Sequence, residues 1–144
     1  MLAVMMVEQT KLPSDPLICV VDDHESVRDA LMGLLRSYGL RVACYESAET
    51  FRDSAALLEV DCLILDVHLP GMSGPDLMSE LAARELRPPV ILISGAVDAH
   101  TRKLIDRAAP HALLIKPFQD DHLLHALQRA LHEQDSKGRP GHEH

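Results

Sequence analysis

Four short apolar runs constrain the fold of this chain more than any other feature of its sequence. They lie at Leu17–Val21, Cys62–Leu65, Val90–Ile93 and Ala112–Ile115. A strand without polar alternation is buried on both faces of its sheet, which favours parallel strands joined by helical crossovers. A weaker run, Leu40–Tyr45, alternates and predicts an edge strand. The chain is therefore expected to form a parallel α/β sheet.

Amphipathic helical patterns follow the runs, and residues that favour helix ends mark several of their boundaries. Gly39 is expected to end the first helix. Ser47 can cap a second helix over about 48–58, and Pro75 suits the first turn of a third. These positions predict where the chain leaves and re-enters the sheet.

Two further helices are expected over Asp98–Ala108 and Asp120–Glu133. The apolar spacing predicts inward-facing side chains in four of the helices. Helix by helix, these are Val27, Leu31, Leu34 and Leu35; Phe51, Ala55 and Leu58; Leu77, Leu81 and Ala82; Leu123, Leu124, Leu127 and Leu131. The helix over Asp98–Ala108 has only Leu104 and Ile105 as large apolar residues, so much of its surface is expected to face water. Five β-α units in 144 residues predict a doubly wound sheet in one domain.

The two ends of the chain differ in composition from its centre. Residues 1–16 lack the basic flank and long apolar stretch of a secretory signal and are expected to form a flexible leader. Residues 134–144 are polar and rich in glycine and proline, which predicts a tail. The folded domain is therefore expected over 17–133, and no apolar run is long enough to span a bilayer.

Charge and cysteine content narrow the possible functions. The net charge is −8, which argues against a direct nucleic-acid surface because such surfaces need clustered cations. The cysteines Cys19, Cys44 and Cys62 form no C-x-x-C pair and lie among apolar residues. They are expected to be buried, reduced thiols in core strands, as is usual in a cytoplasmic protein.

Polar or charged residues stand at the ends of four of the predicted strands. Asp22 and Asp23 follow the first strand, Asp66 the third, Ser94 the fourth and Lys116 the fifth. Because the carboxyl ends of parallel strands meet at one edge of a sheet, these side chains are expected to converge. That edge is where such sheets bind their ligands.

Converging carboxylates repel one another in a partly desolvated pocket, so positive charge must offset them. Lys116 supplies one positive charge, and a divalent cation would supply the rest. Carboxylate oxygens and water suit Mg²⁺. A carboxylate beside a metal ion and a lysine is suited to accept a phosphoryl group, with Asp66 as the nucleophile and Ser94 donating to a phosphoryl oxygen.

Four motifs then carry a resemblance to a known family. They are Val20–Asp23 (V-V-D-D), Leu63–Gly74 (L-I-L-D-V-H-L-P-G-M-S-G), Ile91–Ala96 (I-L-I-S-G-A) and Ile115–Phe118 (I-K-P-F). In this order and at these spacings, residues 17–133 resemble the receiver domain of two-component response regulators. Among receivers, the chain is most similar to those of FixJ-type regulators and hybrid kinases. The resemblance implies a flavodoxin-like (βα)5 fold with strand order 2-1-3-4-5.

The resemblance also implies a magnesium site. Asp23 and Asp66 would bind Mg²⁺ directly, and Asp22 would orient a metal-bound water. The backbone carbonyl of His68 would complete the protein ligands. Each of these positions lies in one of the matching motifs.

The phosphoryl chemistry implied by the resemblance uses three side chains. Asp66 would be the phosphoacceptor, Ser94 would follow the phosphoryl group, and Lys116 would pair with it. The Lys116–Pro117 bond of such domains is usually cis. The domain would catalyse only its own phosphorylation and dephosphorylation, and would otherwise signal rather than act as an enzyme.

The implied partners are proteins. A sensor histidine kinase or phosphotransfer protein would supply the phosphoryl group, and a downstream protein target would respond. The face built from the fourth helix, fifth strand and fifth helix is a candidate for homodimers. The sequence leaves open whether the chain is a stand-alone receiver or a piece of a longer protein.

Two features depart from the family pattern and keep a second hypothesis open. Leu113 stands three residues before the lysine, where receivers usually carry an aromatic residue. The stretch Arg107–Pro110 lacks the glycine that commonly precedes the fifth strand. An atypical pseudo-receiver that acts only through protein contacts is therefore the main alternative.

A magnesium-dependent phosphatase of the haloacid dehalogenase type is a third hypothesis. Those enzymes usually carry a second aspartate two residues after the nucleophile, but His68 occupies that place here. Asp22 and Asp23 also lack the D-x-D spacing. Without a nearby general acid, turnover of small phosphate esters is expected to be poor.

Overall fold

Five parallel strands form a single sheet in the computed structural model, which describes residues 15–136. The strands are β1 (Leu17–Val21), β2 (Arg41–Tyr45), β3 (Cys62–Asp66), β4 (Val90–Ser94) and β5 (Ala112–Ile115). Their order is β2-β1-β3-β4-β5, and every neighbouring pair is parallel. The predicted doubly wound, flavodoxin-like sheet with order 2-1-3-4-5 is therefore confirmed.

Helices cover both faces of the sheet. They are α1 (Glu25–Ser37), α2 (Ala48–Arg52), α3 (Gly74–Ala83), α4 (Ala99–Ala108) and α5 (Asp120–Ser136). Phe51, Leu77 and Ile105 bring α2, α3 and α4 onto one face, where they join a single apolar cluster. Leu35 and Leu127 bring α1 and α5 onto the other face. No helix within residues 15–136 is both long and apolar enough to cross a bilayer.

The three central strands are buried along their whole length, as their uninterrupted apolar runs predict. The prediction that β5 is equally covered is wrong, because within residues 15–136 β5 pairs with β4 alone, and it is partly exposed. Ile115 at its end is 45% exposed. Edge position rather than composition thus decides how deeply a strand is buried.

The second helix is shorter than predicted. Ser47 caps it as expected, but the helix ends at Arg52 and a 3-10 turn, Ala55–Leu58, follows. The Ser54 hydroxyl donates to the carbonyl oxygen of Phe51 at 2.8 Å, so it competes with the next helical hydrogen bond. The shift to three residues per turn moves the apolar stripe onto the middle of the turn.

This shift makes two predicted inward positions wrong. Ala55 is exposed, and Leu58 is 78% exposed. Ala56 and Leu57 pack against the core instead. The apolar content of the segment correctly predicted that part of it packs against the core. The assumed α-helical phase, however, assigned the inward positions to the wrong residues.

Three helix ends use the left-handed backbone region, at Gly39 after α1, Glu85 after α3 and Ala109 after α4. Gly39 has φ 78° just after α1, as its predicted role requires. Ala109 adopts φ 52° after α4, where the family pattern would place glycine. A side chain in this region carries a steric cost that glycine avoids.

The last helix extends to Ser136, past its predicted end at Glu133. The proposed tail therefore begins within a helix. The rest of the tail, and the leader up to residue 14, lie outside the described residues.

The cysteines are free, but they are not equally buried. Burial raises the pKa of Cys19 and of Cys62 to about 12, so both thiols stay protonated. Cys44 lies in the edge strand β2 and is only half-buried. The expectation of three fully buried thiols is therefore wrong for Cys44.

Candidate functional site

The carboxyl ends of β1, β3 and β5 bring two aspartates to one lysine. Asp22 follows β1 and Asp66 ends β3, and their side chains are only 2% and 5% exposed. The Lys116 ammonium lies 3.5 Å from Oδ2 of Asp22 and 3.5 Å from Oδ2 of Asp66. Residues separated by 94 and 50 positions in the chain therefore meet in one buried charge cluster.

Backbone N–H groups hold the second oxygen of each aspartate. The His24 N–H donates to Oδ1 of Asp22 at 2.8 Å, and the His68 N–H donates to Oδ1 of Asp66 at 3.0 Å. Each carboxylate is thus fixed between the chain two residues ahead and the lysine. Such local Asx hydrogen bonds let a strand end turn while its side chain keeps one orientation.

The environment of Asp66 opposes its ionisation. Burial is the largest cause that raises the pKa of Asp66, and the neighbouring Asp22 raises it further. The His68 N–H and the Lys116 ammonium favour the charged form but do not fully compensate. A cation bound beside the carboxylate would restore the charged, nucleophilic form.

The cluster has the donors that a divalent cation needs. Asp22, Asp23, His24 and Asp66 each offer one ligand atom, and these atoms lie within 4.8 Å of one another. Asp23 is 31% exposed and stands at the mouth of the site. One lysine against three carboxylates leaves two negative charges uncompensated. Hard carboxylate oxygens and this charge fit Mg²⁺.

Ser94 lies at the same edge of the sheet, but its hydroxyl is engaged elsewhere. The hydroxyl donates to the Ala96 carbonyl oxygen at 2.7 Å and accepts from the Ala96 N–H at 3.3 Å. Ser94 is fully buried, and its carbonyl oxygen accepts from the Lys116 N–H at 2.8 Å. The expected convergence therefore holds for the Ser94 backbone, whereas its hydroxyl bonds within its own turn.

The remaining features of the fifth strand follow the sequence closely. The Lys116–Pro117 peptide bond is cis, as the resemblance implies. Leu113 pairs with Leu92 of β4 and packs half-buried against the apolar cluster under α2, α3 and α4. A leucine thus fills the place of the usual aromatic side chain without leaving that cluster.

The sequence interpretation missed two residues. His24 directly follows Asp23, and its ring nitrogen Nδ1 lies 3.1 Å from Oδ1 of Asp22. The adjacency D-D-H was the available signal. Glu49 was missed for a different reason, because its partner Met72 lies 23 residues away along the chain.

Glu49 anchors the loop between β3 and α3. Its Oε2 accepts from the Met72 N–H at 2.9 Å, and this hydrogen bond lowers the pKa of Glu49. Gly71 has φ 76°, and a Cβ there would stand 2.7 Å from the same oxygen. The loop that begins next to Asp66 and includes His68 is therefore tied to α2.

The chain matches a known family over most of its length. Residues 18–128 match the family model of the response regulator receiver domain. The chain is 40% identical over 117 residues to the response regulator protein TmoT of Ectopseudomonas mendocina, covering 81% of this chain and 53% of TmoT. It is 34% identical over 128 residues to the transcriptional regulatory protein FixJ of Azorhizobium caulinodans, covering 89% and 61%. The chain spans about half the length of the curated relatives it matches.

Solved structures agree with this family assignment. A crystal structure of the signal receiver domain of an HD domain-containing protein from Pseudomonas fluorescens is similar, with a TM-score of 0.78 and 31% identity. The match covers 84% of this chain and 98% of that domain. The sheet order, the family match and these relatives together show that the chain belongs to the response regulator receiver domain family.

Proposed function

We propose that this receiver accepts a phosphoryl group on Asp66 with the help of Mg²⁺ and thereby changes its protein contacts. The observation that carries the proposal is the buried Asp66 carboxylate, held between Lys116 and the acidic pair after β1. Asp23, Asp66 and the His68 backbone carbonyl would hold the ion, and Asp22 would orient one of its waters. The bound ion would offset the repulsion among the carboxylates and withdraw charge from the phosphoryl oxygens.

Transfer from a phosphohistidine requires the ionised form of Asp66. One carboxylate oxygen of Asp66 forms the new P–O bond while the P–N bond breaks, and the imidazole leaves and takes up a proton. The Lys116 ammonium is already 3.5 Å from Oδ2 and pairs with a phosphoryl oxygen. The Ser94 hydroxyl exchanges its bonds to Ala96 for one to the phosphoryl group.

This exchange at Ser94 is the proposed first step of signalling. It frees the Ala96 carbonyl and N–H groups, which lie in the turn before α4. Leu113 packs in the cluster beside this turn, and we propose that it repacks when the turn moves. Because leucine has no ring or hydroxyl, a partner protein detects its new position only through packing contacts.

The proposed partners are a histidine kinase or phosphotransfer protein and a downstream protein, meeting the receiver in the cytoplasm. The face formed by α4, β5 and α5 is the proposed contact or homodimer surface. It exposes Ile115, which is 45% exposed at the end of β5. Because the chain spans about half the length of its curated relatives, the activity and the target of the whole protein are part of this proposal.

The pseudo-receiver remains the second candidate. It is favoured by the Ser94 hydroxyl, which already has both its partners within its own turn, and by Leu113. A phosphatase has less support, because His68 contributes its N–H to Asp66 where the related enzymes place an acid.

Intact-mass measurement with acetyl phosphate and Mg²⁺ tests the proposal. The wild-type chain is expected to gain one phosphoryl group, Asp66→Asn none, and the matched control Asp106→Asn the same as wild type. Asp106 is suitable because its side chain is 69% exposed on α4, away from the site. A wild-type chain that stays unlabelled would favour the pseudo-receiver. Sustained phosphate release from small esters would favour the phosphatase.

A further inference from the structure

The loop between β3 and α3 is held by hydrogen bonds on three sides. At its base, the Gly74 N–H donates to the carbonyl oxygen of Val67 at 3.0 Å. On its inner side, the His68 N–H donates to Asp66 at 3.0 Å. Residues 68–73 therefore form a closed loop, and the first carbonyl of this loop, that of His68, is the proposed ligand of the ion.

Glu49 supplies the third hydrogen bond, from α2 on the outer side of the loop. Its Oε2 accepts from the Met72 N–H at 2.9 Å. Gly71 has φ 76°, and a Cβ at this position would stand 2.7 Å from the same oxygen. A side chain at Gly71 would therefore be strained in its backbone and would push the carboxylate away from Met72. The loop is shaped to fit the Glu49 carboxylate.

The helix that carries Glu49 is itself firmly placed. Ser47 caps α2, and Phe51 is fully buried in the core. Arg52 of α2 also lies 3.8 Å from Glu80 of α3. Because Ser47 already caps the helix, the Glu49 carboxylate is not needed as a cap and is free to bond the loop. The loop is thus anchored to a rigid element outside the site.

We propose that Glu49 is a positioning residue for the cation site, which orders the loop between β3 and α3 so that the His68 carbonyl oxygen is in place before Mg²⁺ binds. This inference rests on the proposed function, because Asp23, Asp66 and His68 must hold the ion. A ligand whose loop is already ordered binds without the entropy cost of ordering that loop. Groups that orient a metal ligand from behind change the metal affinity although they do not touch the ion.

The same coupling acts in the reverse direction. If the bond from Met72 to Glu49 favours Mg²⁺ binding, then Mg²⁺ binding favours that bond by the same factor. Amide hydrogen exchange at Met72 is therefore expected to slow when Mg²⁺ binds to the wild-type chain. The slowing is expected to be weaker in Glu49→Ala, because the Met72 N–H has lost its acceptor there.

The experiment is a Mg²⁺ titration of the full chain, followed by NMR of the backbone amides. Glu49→Ala removes both the charge and the acceptor, whereas Glu49→Gln removes the charge but keeps an acceptor oxygen. Glu46→Ala is the matched control, because it removes one negative charge from an exposed residue just before α2. The last two variants measure any effect of charge alone on the Mg²⁺ affinity.

The dissociation constant for Mg²⁺ is expected to rise about three- to tenfold in Glu49→Ala. This is less than the roughly 10–100-fold effect of groups that bond a metal ligand directly. In Glu49→Gln and Glu46→Ala it is expected to stay within about twofold of wild type. Equal affinities in wild type and Glu49→Ala would overturn the inference. An equal loss in Glu49→Gln and Glu49→Ala would also overturn it, because charge alone would then explain the effect.

Gly71→Ala tests the same contact from the side of the loop. It is expected to raise the dissociation constant for Mg²⁺ in the wild-type background and to add little to Glu49→Ala, because both changes break one hydrogen bond. Effects that simply add in the double variant would contradict the role of Glu49.

Failure of the proposed function gives a different result. It appears as a wild-type chain that binds no Mg²⁺ and takes no label from acetyl phosphate. A wild type that is labelled, together with a Glu49→Ala protein of unchanged Mg²⁺ affinity, would remove the role of Glu49 and leave phosphorylation of Asp66 in place.

Discussion

Replacing Asp66 by asparagine is expected to stabilise the metal-free protein at neutral pH. The pKa of Asp66 is raised above its ordinary value of 3.8, first by burial and then by Asp22. Between that value and the raised pKa, the folded state binds more protons than the unfolded state. Stability therefore falls as the pH rises through this window, and at pH 7 the ionised carboxylate opposes folding.

The charges of the site set the size of the effect. The possible ligand atoms of Asp22, Asp23 and Asp66 all lie within 4.8 Å of one another, and at an effective dielectric constant of about 20 two unit charges at that limit repel by about 3.5 kcal/mol. Asp66 therefore experiences a repulsion of at least about this size from Asp22 and, weakened by exposure, a further one from Asp23. The Lys116 ammonium, 3.5 Å away, offsets about 4.7 kcal/mol. The lysine outweighs the repulsion from Asp22 alone, but the repulsion from Asp23 and the cost of burying the charge, the largest cause of the raised pKa of Asp66, reverse the balance. Asp66→Asn is therefore expected to gain on the order of 2 kcal/mol.

Thermal unfolding followed by circular dichroism in EDTA measures this gain. The melting temperature of Asp66→Asn should exceed that of wild type by about 4–8 °C at pH 7. The difference should narrow on acidification, as Asp66 takes up its proton, and also on addition of Mg²⁺, which stabilises only the wild type fully. The exposed Asp106→Asn should match wild type. An Asp66→Asn protein that melts below wild type in EDTA would refute the reasoning.

Three further substitutions test other parts of the structure. Lys116→Ala leaves two buried carboxylates without their cation, so the free energy of unfolding in urea without metal should fall by about 3 kcal/mol. The Mg²⁺ affinity should stay largely intact, and a collapse of that affinity would contradict the role assigned to Lys116. Glu49→Ala should speed amide hydrogen exchange at Met72, and Glu49→Gln, which keeps an acceptor oxygen, should speed it less. Equal exchange rates in wild type and both variants would show that Glu49 does not anchor the loop. Ala109→Gly should stabilise the chain by about 1 kcal/mol, because the backbone φ of 52° at this position suits glycine. Ala108→Gly, within α4, should destabilise the chain by a similar amount. An Ala109→Gly protein that is less stable than Ala108→Gly would show that Ala109 is unstrained.

The fold and the charged site were predictable because both follow from patterns local to each strand. An apolar run followed by a charged residue needs only the rule that parallel strands end at one edge. Asp22, Asp66 and Lys116 meet for that reason alone. The end of α2 was not predictable from the apolar pattern, because the Ser54 hydroxyl donates to the Phe51 carbonyl oxygen and competes there with the next helical hydrogen bond.

Other features depend on contacts that a sequence pattern does not contain. The Ser94 hydroxyl can bond either within its own turn or toward the site, and in the structure it bonds to Ala96 within the turn. Glu49 reaches the loop after β3 only through the fold. Cys44 is less buried than Cys19 because β2 lies at the sheet edge, which its alternating pattern did indicate.

The most direct test of the account is to locate the phosphorylated residue chemically. The protein is treated with acetyl phosphate and Mg²⁺, the acyl phosphate is reduced with borohydride, and the peptides are sequenced by mass spectrometry. The account predicts that homoserine replaces aspartate at Asp66 and at no other position. Modification at Asp22 or Asp23, or of no residue in a folded protein that binds Mg²⁺, would contradict it.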